Sequence, residues 1–319
     1  MEDDQGALFA MPKALPTDLQ GRFGIPPLTV FDRRQGYWQN RRRRWLDLGI
    51  DSGDGRETAL TYAKSQGQDE VSQKLLAMSG GTSVFDPVIV ETMVRWFAPA
   101  GGMVFDPFSG GSVRGIVSHA LGRSYTGCDI RPEQLEANRA QLERFTADNG
   151  TTDPTTSCRW LLTDGTKPVD DPTPADMVLT CPPYGDLEVY SDLDADISTM
   201  GYDDFADAYV DAVYHAAQRL RDDRFSVWVV GNYRNQRTGH LRDLVGLTIG
   251  AHIAAGLNYH AEAIVVDPVG TGAMRAAATF KALRRPIRTH QTVLIFLKGD
   301  PHKAAAAAEP FAEDQVMWT

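Results

Sequence analysis

The residues best equipped for chemistry in this chain stand at the ends of short apolar runs. Asp176-Met177-Val178-Leu179-Thr180-Cys181-Pro182-Pro183-Tyr184 carries strand-forming residues into two prolines and an aromatic ring. Paired prolines fix φ and donate no N–H, so the carbonyls around them are available to hydrogens of a ligand. Pro-Pro by itself also ends strands and starts turns, so the neighbouring runs must decide. Asp106-Pro107-Phe108-Ser109-Gly110-Gly111-Ser112 sets an acid ahead of a glycine turn. Small residues admit a ligand close to the backbone, and the acid can hold an ammonium or hydroxyl. The turn is neither GxGxxG nor a Walker loop, which takes support from dinucleotide and nucleoside triphosphate readings. Asp129, in Gly127-Cys128-Asp129-Ile130, stands about twenty residues on, where an acid reaches ribose hydroxyls in nucleoside-binding sheets. Thr163-Asp164-Gly165 repeats the pairing of an acid with glycine. Each acid alone also reads as a helix cap or turn residue; their recurrence at successive run ends is what points to a site.

The elements that must position them alternate. Apolar spacing predicts a helix over Asp86 to Phe97, a strand Met103 to Phe105, a helix Val113 to Leu121 and a strand Ser124 to Cys128. A helix Pro132 to Phe145 and strands Cys158 to Leu162 and Met177 to Thr180 follow. After them come a helix Tyr202 to Leu220 and a strand Phe225 to Val230. Strand alternating with helix predicts an α/β, doubly wound, largely parallel sheet, whose ligands sit at the carboxyl ends of the strands.

The chain has 319 residues, is 42% hydrophobic and carries a net charge of −10, enough for one substantial core and a smaller lobe. An acidic total argues against a surface that coats nucleic acid or membrane everywhere, and makes local basic segments informative. Arg22 to Arg44 holds seven bases against the single acid Asp32, with Tyr37, Trp38 and Trp45 interleaved. It reads as a solvated helix with core-packed aromatics, or as a phosphate contact through Arg33, Arg34, Arg41 and Arg42. Arg275, Lys281, Arg284, Arg285 and Arg288 follow Gly270 and Gly272 without an acid, and read as a mobile loop that orders on nucleic acid ahead of a plain solvated loop. Nine acids and no base lie between Asp186 and Asp211; this stretch reads as a solvated loop and helix face that repels phosphates. Cys128, Cys158 and Cys181 form no CxxC or Cys/His pattern, so no disulfide scaffold and no metal site is expected. The acidic Met1-Glu2-Asp3-Asp4 and the lack of an apolar run near the roughly 20 residues of a membrane span suggest a cytoplasmic protein. Composition divides the chain into residues 1–80 (an arm and basic accessory region with one helix near Asp69 to Met78), 81–300 and a tail 301–319.

Asp106-Pro107-Phe108-Ser109-Gly110, Asp129, Thr163-Asp164-Gly165 and Cys181-Pro182-Pro183-Tyr184, in this order and spacing, resemble the S-adenosylmethionine-dependent amino-methyltransferases of DNA. The resemblance spans roughly residues 81–300 and includes Val293 to Lys298 as a closing strand. Gly185 to Asp192 looks like the continuation found in DNA methylases of phages and prophages. It implies a Rossmann-like sheet of the class I methyltransferase type, S-adenosylmethionine as cofactor and double-stranded DNA as partner. By resemblance, Asp106 to Gly110 hold the methionine part of the cofactor with Phe85 and Asp86 closing that end. Asp129 takes the ribose hydroxyls, Ile130 packs on adenine, Asp164 meets the adenine amine, and Thr180 joins the cofactor set. The chain departs from the family at Gly110-Gly111-Ser112, where Gly-Ser-Gly is usual, and at Cys181, where adenine enzymes carry Asp or Asn and cytosine enzymes Ser. Cys181 to Tyr184 would act on the exocyclic amine of a flipped base, N4 of cytosine ahead of N6 of adenine. An RNA base or a protein glutamine amide is the rival substrate, and a non-catalytic DNA-binding module the rival class.

Overall fold

A computed structural model describes residues 19–20, 23–50, 85–150, 153–185, 190–235, 237–269 and 272–308. The expected helix near Asp69 to Met78, and the boundary near residue 80, lie outside them.

Chain order begins with β1 (Val30–Asp32), α1 (Gly36–Asp47), α2 (Pro87–Phe97), β2 (Met103–Asp106), α3 (Val113–Ala120) and β3 (Ser124–Asp129). It continues with α4 (Pro132–Asn149), β4 (Cys158–Leu162), β5 (Ala175–Thr180), a 3-10 turn (Ile197–Thr199), α5 (Tyr202–Arg219) and β6 (Leu220–Val230). A small hairpin, β7 (Tyr233–Arg234) and β8 (Leu241–Arg242), precedes α6 (Leu244–Ala254), β9 (Asn258–Val266), α7 (Gly272–Leu283), β10 (His290–Lys298) and α8 (Pro301–Ala307). Local chemistry sets several boundaries. Asp86 caps α2 by accepting from the Val88 N–H at 2.9 Å with Pro87 at the first helical position, and Asp300 and Pro301 start α8 the same way. Helix α4 begins at Pro132 and stops at Gly150, whose φ is +78°.

The main sheet has eight strands in the order β1-β9-β10-β6-β5-β2-β3-β4, and β10 runs against the other seven. Its order and single reversed strand are those of a Rossmann-like, class I methyltransferase sheet. Alternate residues along the central strands feed two cores. Val104, Met177, Leu179, Val227 and Val229 pack with α1 to α3. Phe105, Val178, Trp228 and Val230 pack with Phe205, Tyr209 and Ala251 of α5 and α6. Burial on both faces explains why these strands read as continuous apolar runs.

Three features differ from the sequence reading. The basic stretch near residue 280 is helix α7, not a loop: its Ala-rich composition has high helix propensity, and Gly272 only starts it. Pro301–Ala307 of the expected tail is a helix whose Ala304 is buried. Residues 30–47 are no separate lobe, because β1 extends the sheet beside β9 and Trp38 and Trp45 are buried in its core. Among the described residues no helix is long and apolar enough to cross a membrane.

Candidate active site

Parallel pairing brings the ends of β2, β3, β4 and β5 to one edge of the sheet, and a cavity opens there. Of the sequence-derived cofactor residues, Phe85, Pro107, Phe108, Gly110, Asp129, Ile130 and Asp164 line it. Cys181, Pro182, Pro183 and Tyr184 line the same cavity. Residues separated by about 100 positions thus share one wall.

Asp106, Ser109 and Thr180, expected at the cofactor, do not reach the cavity wall. Asp106 is fully buried and its two oxygens are taken: Arg114 Nε at 2.6 Å and the Tyr125 hydroxyl at 2.8 Å on one, Thr180 Oγ1 at 2.6 Å and the Phe108 N–H at 3.1 Å on the other. A buried carboxylate is tolerable only when paired and hydrogen-bonded in this way. Arg114 also donates to the carbonyls of Phe108 (2.6 Å) and Ser109 (3.0 Å), and its guanidinium lies 4.6 Å from the Phe85 ring centre. Burial works against the Arg114 charge, but Asp106 outweighs it and holds Arg114 protonated. Ser109 donates to the Cys128 carbonyl at 2.9 Å. The bonds of these residues fix the turn, and two of the partners, Arg114 eight positions along the chain and Tyr125 on β3, carry no signal in the sequence.

The glycine turn is held from the other side by a polar face of α4. Asn138 Nδ2 donates to the Gly110 carbonyl at 2.7 Å, Gln134 to Asn138 at 3.0 Å and Arg131 to Gln134 at 2.9 Å, while Ser112 donates to Gln141. Gln134, Asn138 and Gln141 are buried at helical spacing, a polar stripe where an apolar one is normal. The departure at Gly111-Ser112 is accommodated here: Ser112 is a tie to α4. Gly165 allows the second turn to lie against the first, since a Cβ there would stand 1.9 Å from the Pro107 carbonyl oxygen. Asp164 accepts from the Thr166 N–H and hydroxyl at 2.9 and 2.7 Å, and Asp129 from the Arg131 N–H at 2.8 Å.

At the far end, Cys181 Sγ and the Tyr184 hydroxyl are 3.7 Å apart, and Tyr184 packs against the α5–α6 core. Burial, with Cys181 next, pushes the Tyr184 phenol well up, so it stays neutral. Gly185, at φ +50°, rests on the Tyr233 hydroxyl, which a Cβ would meet at 2.1 Å. The acidic stretch is not wholly solvated either. Buried Asp196 accepts from Ser198 N–H and hydroxyl (2.9 and 2.6 Å) and from Ser191 N–H and hydroxyl (2.7 and 3.0 Å). That knot brings Tyr190, Ala195 and Ile197 to the cavity, a role with no local sequence signal.

The basic residues divide. Arg33 bridges Asp86 (2.8 Å) and Asp267 (2.5 Å), and Arg41 forks onto Glu91 with both nitrogens at 2.8 Å, so their charge is answered inside the protein. Arg34 folds onto neighbouring Asp32 at 2.8 and 2.9 Å. Arg42 is half-buried on α1. Arg275, Lys281 and Arg284 are exposed, with Arg285 half-buried beside them. Arg288 donates to the His290 carbonyl at 2.8 Å and lies within electrostatic reach of Tyr184.

Residues 38–140 match the family model described as DNA methylase, of the N6/N4 type. No curated protein matches the chain. Among solved structures, TrmN from Thermus thermophilus is 15% identical over 73% of this chain, with a TM-score of 0.46, and the chain spans 54% of that structure's length. The magnesium protoporphyrin IX methyltransferase ChlM from Synechocystis PCC 6803, solved with bound SAH, is 10% identical over 82% of this chain and 94% of its own, with a TM-score of 0.45. A putative methyltransferase from Thermoplasma acidophilum is 14% identical over 69% of this chain and 77% of its own, with a TM-score of 0.40. Over residues 38–140, therefore, the chain is similar to the DNA methylase family, and β2 and β3 of that segment belong to the sheet of the Rossmann-like methyltransferase type.

Proposed function

We propose that the protein transfers a methyl group from S-adenosylmethionine to the exocyclic amine of a base in DNA, N4 of cytosine ahead of N6 of adenine. The observation that carries this is the continuity of one cavity from Asp129, Ile130 and Asp164 to Cys181, Pro182, Pro183 and Tyr184. The first end fits an adenosyl group: two carboxylates for hydroxyl and amine hydrogens, the flat apolar contact of Ile130, and a backbone cradle that only glycine at position 165 permits. Phe85, Pro107 and Phe108 would enclose the remainder, beside the fixed Arg114.

Bound there, the cofactor supplies a sulfonium methyl. The chain's own residues act on the acceptor. An exocyclic amine is a poor nucleophile because its lone pair is spread into the ring. The carbonyl at Pro182, and the carbonyl or thiol at Cys181, would accept its two hydrogens and favour a pyramidal nitrogen with the lone pair directed outward. A thiol is a weak acceptor, so the backbone carbonyls and positioning carry most of the effect. Tyr184, neutral and held by the core, offers its face to a base flipped from the duplex. Thr180-Cys181 is nearer the Ser form of cytosine enzymes than the Asp or Asn form, which places cytosine first.

The test is incubation with S-adenosylmethionine and unmodified DNA, followed by mass spectrometry of the nucleosides. N4-methylcytosine is expected, and N6-methyladenine would correct the base. No methylated base, with no cofactor binding by calorimetry, would overturn the proposal in favour of a non-catalytic module.

A further inference from the structure

Helix α7 is not held by the rest of the molecule in the way its neighbours are. Of its twelve residues only Gly272 is buried, and Ala276 and Thr279 are half-buried. Met274, Phe280 and Leu283 are 66%, 49% and 61% exposed. An isolated helix shorter than about 12–15 residues is marginal in water, and helices in proteins owe most of their stability to a packed face. Phe280 and Leu283, three positions apart and so neighbours on one face of the helix, leave exposed apolar surface there, with Met274 exposed one turn or more towards its start.

The location of α7 says what that partner meets. Val266 at the end of β9 pairs with His290 at the start of β10, Thr292 pairs with Val230, and Trp228 pairs with Thr180. Helix α7 therefore rises from the sheet edge that holds Tyr184. Its C-terminal end meets the β7–β8 hairpin, where Arg285 Nη1 would lie 3.9 Å from a Cβ on Gly239. Exposed Arg237 and His240 stand on the same hairpin. Arg275, Lys281, Arg284, Arg285 and Arg288 are accompanied by no acid between Asp267 and Asp300, in a chain of net charge −10. A basic helix that keeps five alanines, at 273, 276, 277, 278 and 282, is also slender. The major groove of B-DNA, about 12 Å wide, admits one helix, and apolar side chains there contact thymine methyl groups.

We propose that α7 is the element that reads the target sequence, lying in the major groove of duplex DNA. Arg275, Lys281, Arg284 and Arg285 meet phosphates and base edges, and Met274 and Phe280 meet the base surface. This rests on the reading of the protein as a DNA methyltransferase. Arg288, between α7 and Tyr184, joins the reading element to the point where the base enters.

The full-length chain tests it. Sequences methylated in a random duplex library are compared for the wild type, for Met274→Ser/Phe280→Ser and for Arg275→Ala/Lys281→Ala, with cofactor affinity measured by calorimetry. All four positions are exposed, and cofactor affinity is expected to be unchanged. The apolar pair is expected to lower the preference for the wild-type site over other duplexes about tenfold. The basic pair is expected to weaken binding and reduce the salt slope of log affinity by about 2. Methylation of the same sequences at the same affinity and slope in both variants would overturn the role of α7 while leaving the methyltransferase reading intact. Dimerisation by sedimentation that the apolar pair abolishes would also overturn it, assigning α7 to a second copy. Cofactor binding by a wild type that methylates no duplex would instead sink the underlying reading of DNA as substrate.

Discussion

Tyr184 and Gly165 show two ways in which one residue serves the cavity. Tyr184 presents a ring held by the α5–α6 core. Stacking of a base on an aromatic is worth about 1–3 kcal/mol, so Tyr184→Ala is expected to lower methyl transfer about 10- to 100-fold in single-turnover assays with cofactor affinity retained. Full turnover in that variant would remove the stacking role. Gly165 contributes only the absence of a side chain. Gly165→Ala sets a methyl group 1.9 Å from the Pro107 carbonyl, and the two turns must separate. Forced overpacking costs about 1–3 kcal/mol, so lower denaturant midpoints and weaker cofactor binding by calorimetry are expected together. The acids Asp129 and Asp164 were legible in the sequence because a run of strand formers ending in Asp or Asp-Gly is a local signal. Asp106 looked the same and is not the same. Its partners Tyr125 and Thr180 lie 19 and 74 positions away, and nothing local distinguishes a carboxylate that lines the cavity from one buried behind it.

Among the elements, α6 carries a buried histidine that makes the fold sensitive to acid. His252 stacks on Phe296 with ring centres 3.7 Å apart, and its two ring nitrogens face the Thr248 carbonyl at 2.8 Å and the Ser226 hydroxyl at 3.3 Å. Burial lowers its pKa from 6.5 to about 3. The folded state thus leaves His252 neutral where the unfolded chain is protonated, and stability present above pH 6.5 is lost as pH falls toward 3. Between pH 7 and pH 5 this group is expected to remove about 2 kcal/mol, read from urea midpoints, and His252→Gln is expected to flatten that dependence. Most element types were legible from periodicity. Helix α4 was found by its Pro132 start, but its polar buried stripe runs against the usual pattern, so its grip on the Gly110 turn was not visible. In α7 the charges point to a solvated loop while the alanines favour a helix, and the alanines prevail.

The whole molecule joins residues 30–47 to the sheet, contrary to the division that composition suggested. Asp86 receives Arg33 and Trp38 Nε1 (3.0 Å), and Glu91 receives Arg41 and Trp45 Nε1 (2.9 Å), all from the N-terminal segment. Removing residues 1–50 would strip Arg33 and Trp38 from Asp86 and Arg41 and Trp45 from Glu91, leaving the Val88 N–H on the first and Arg95 at 3.4 Å on the second, and would uncover β9 as an edge. Breaking a buried pair costs about 3–5 kcal/mol, so a chain beginning at residue 81 is expected to melt well below the full chain and to aggregate, by calorimetry and light scattering. A truncated chain that melts like the full one would show that the segment is an accessory after all.

The sequence by itself determined the alternation of strand and helix, the polar or rigid ending of each central strand, and the two concentrations of positive charge. All of these depend on neighbours within a few positions. Only the tertiary structure decided which of them face the cavity and which are spent on the fold. It turned Asp106, Thr180, Arg33 and Arg41 inward and left α7 outward. The physical reason is that a charge declares its role through its partner, and the partners of these residues are brought by sheet pairing from distant parts of the chain.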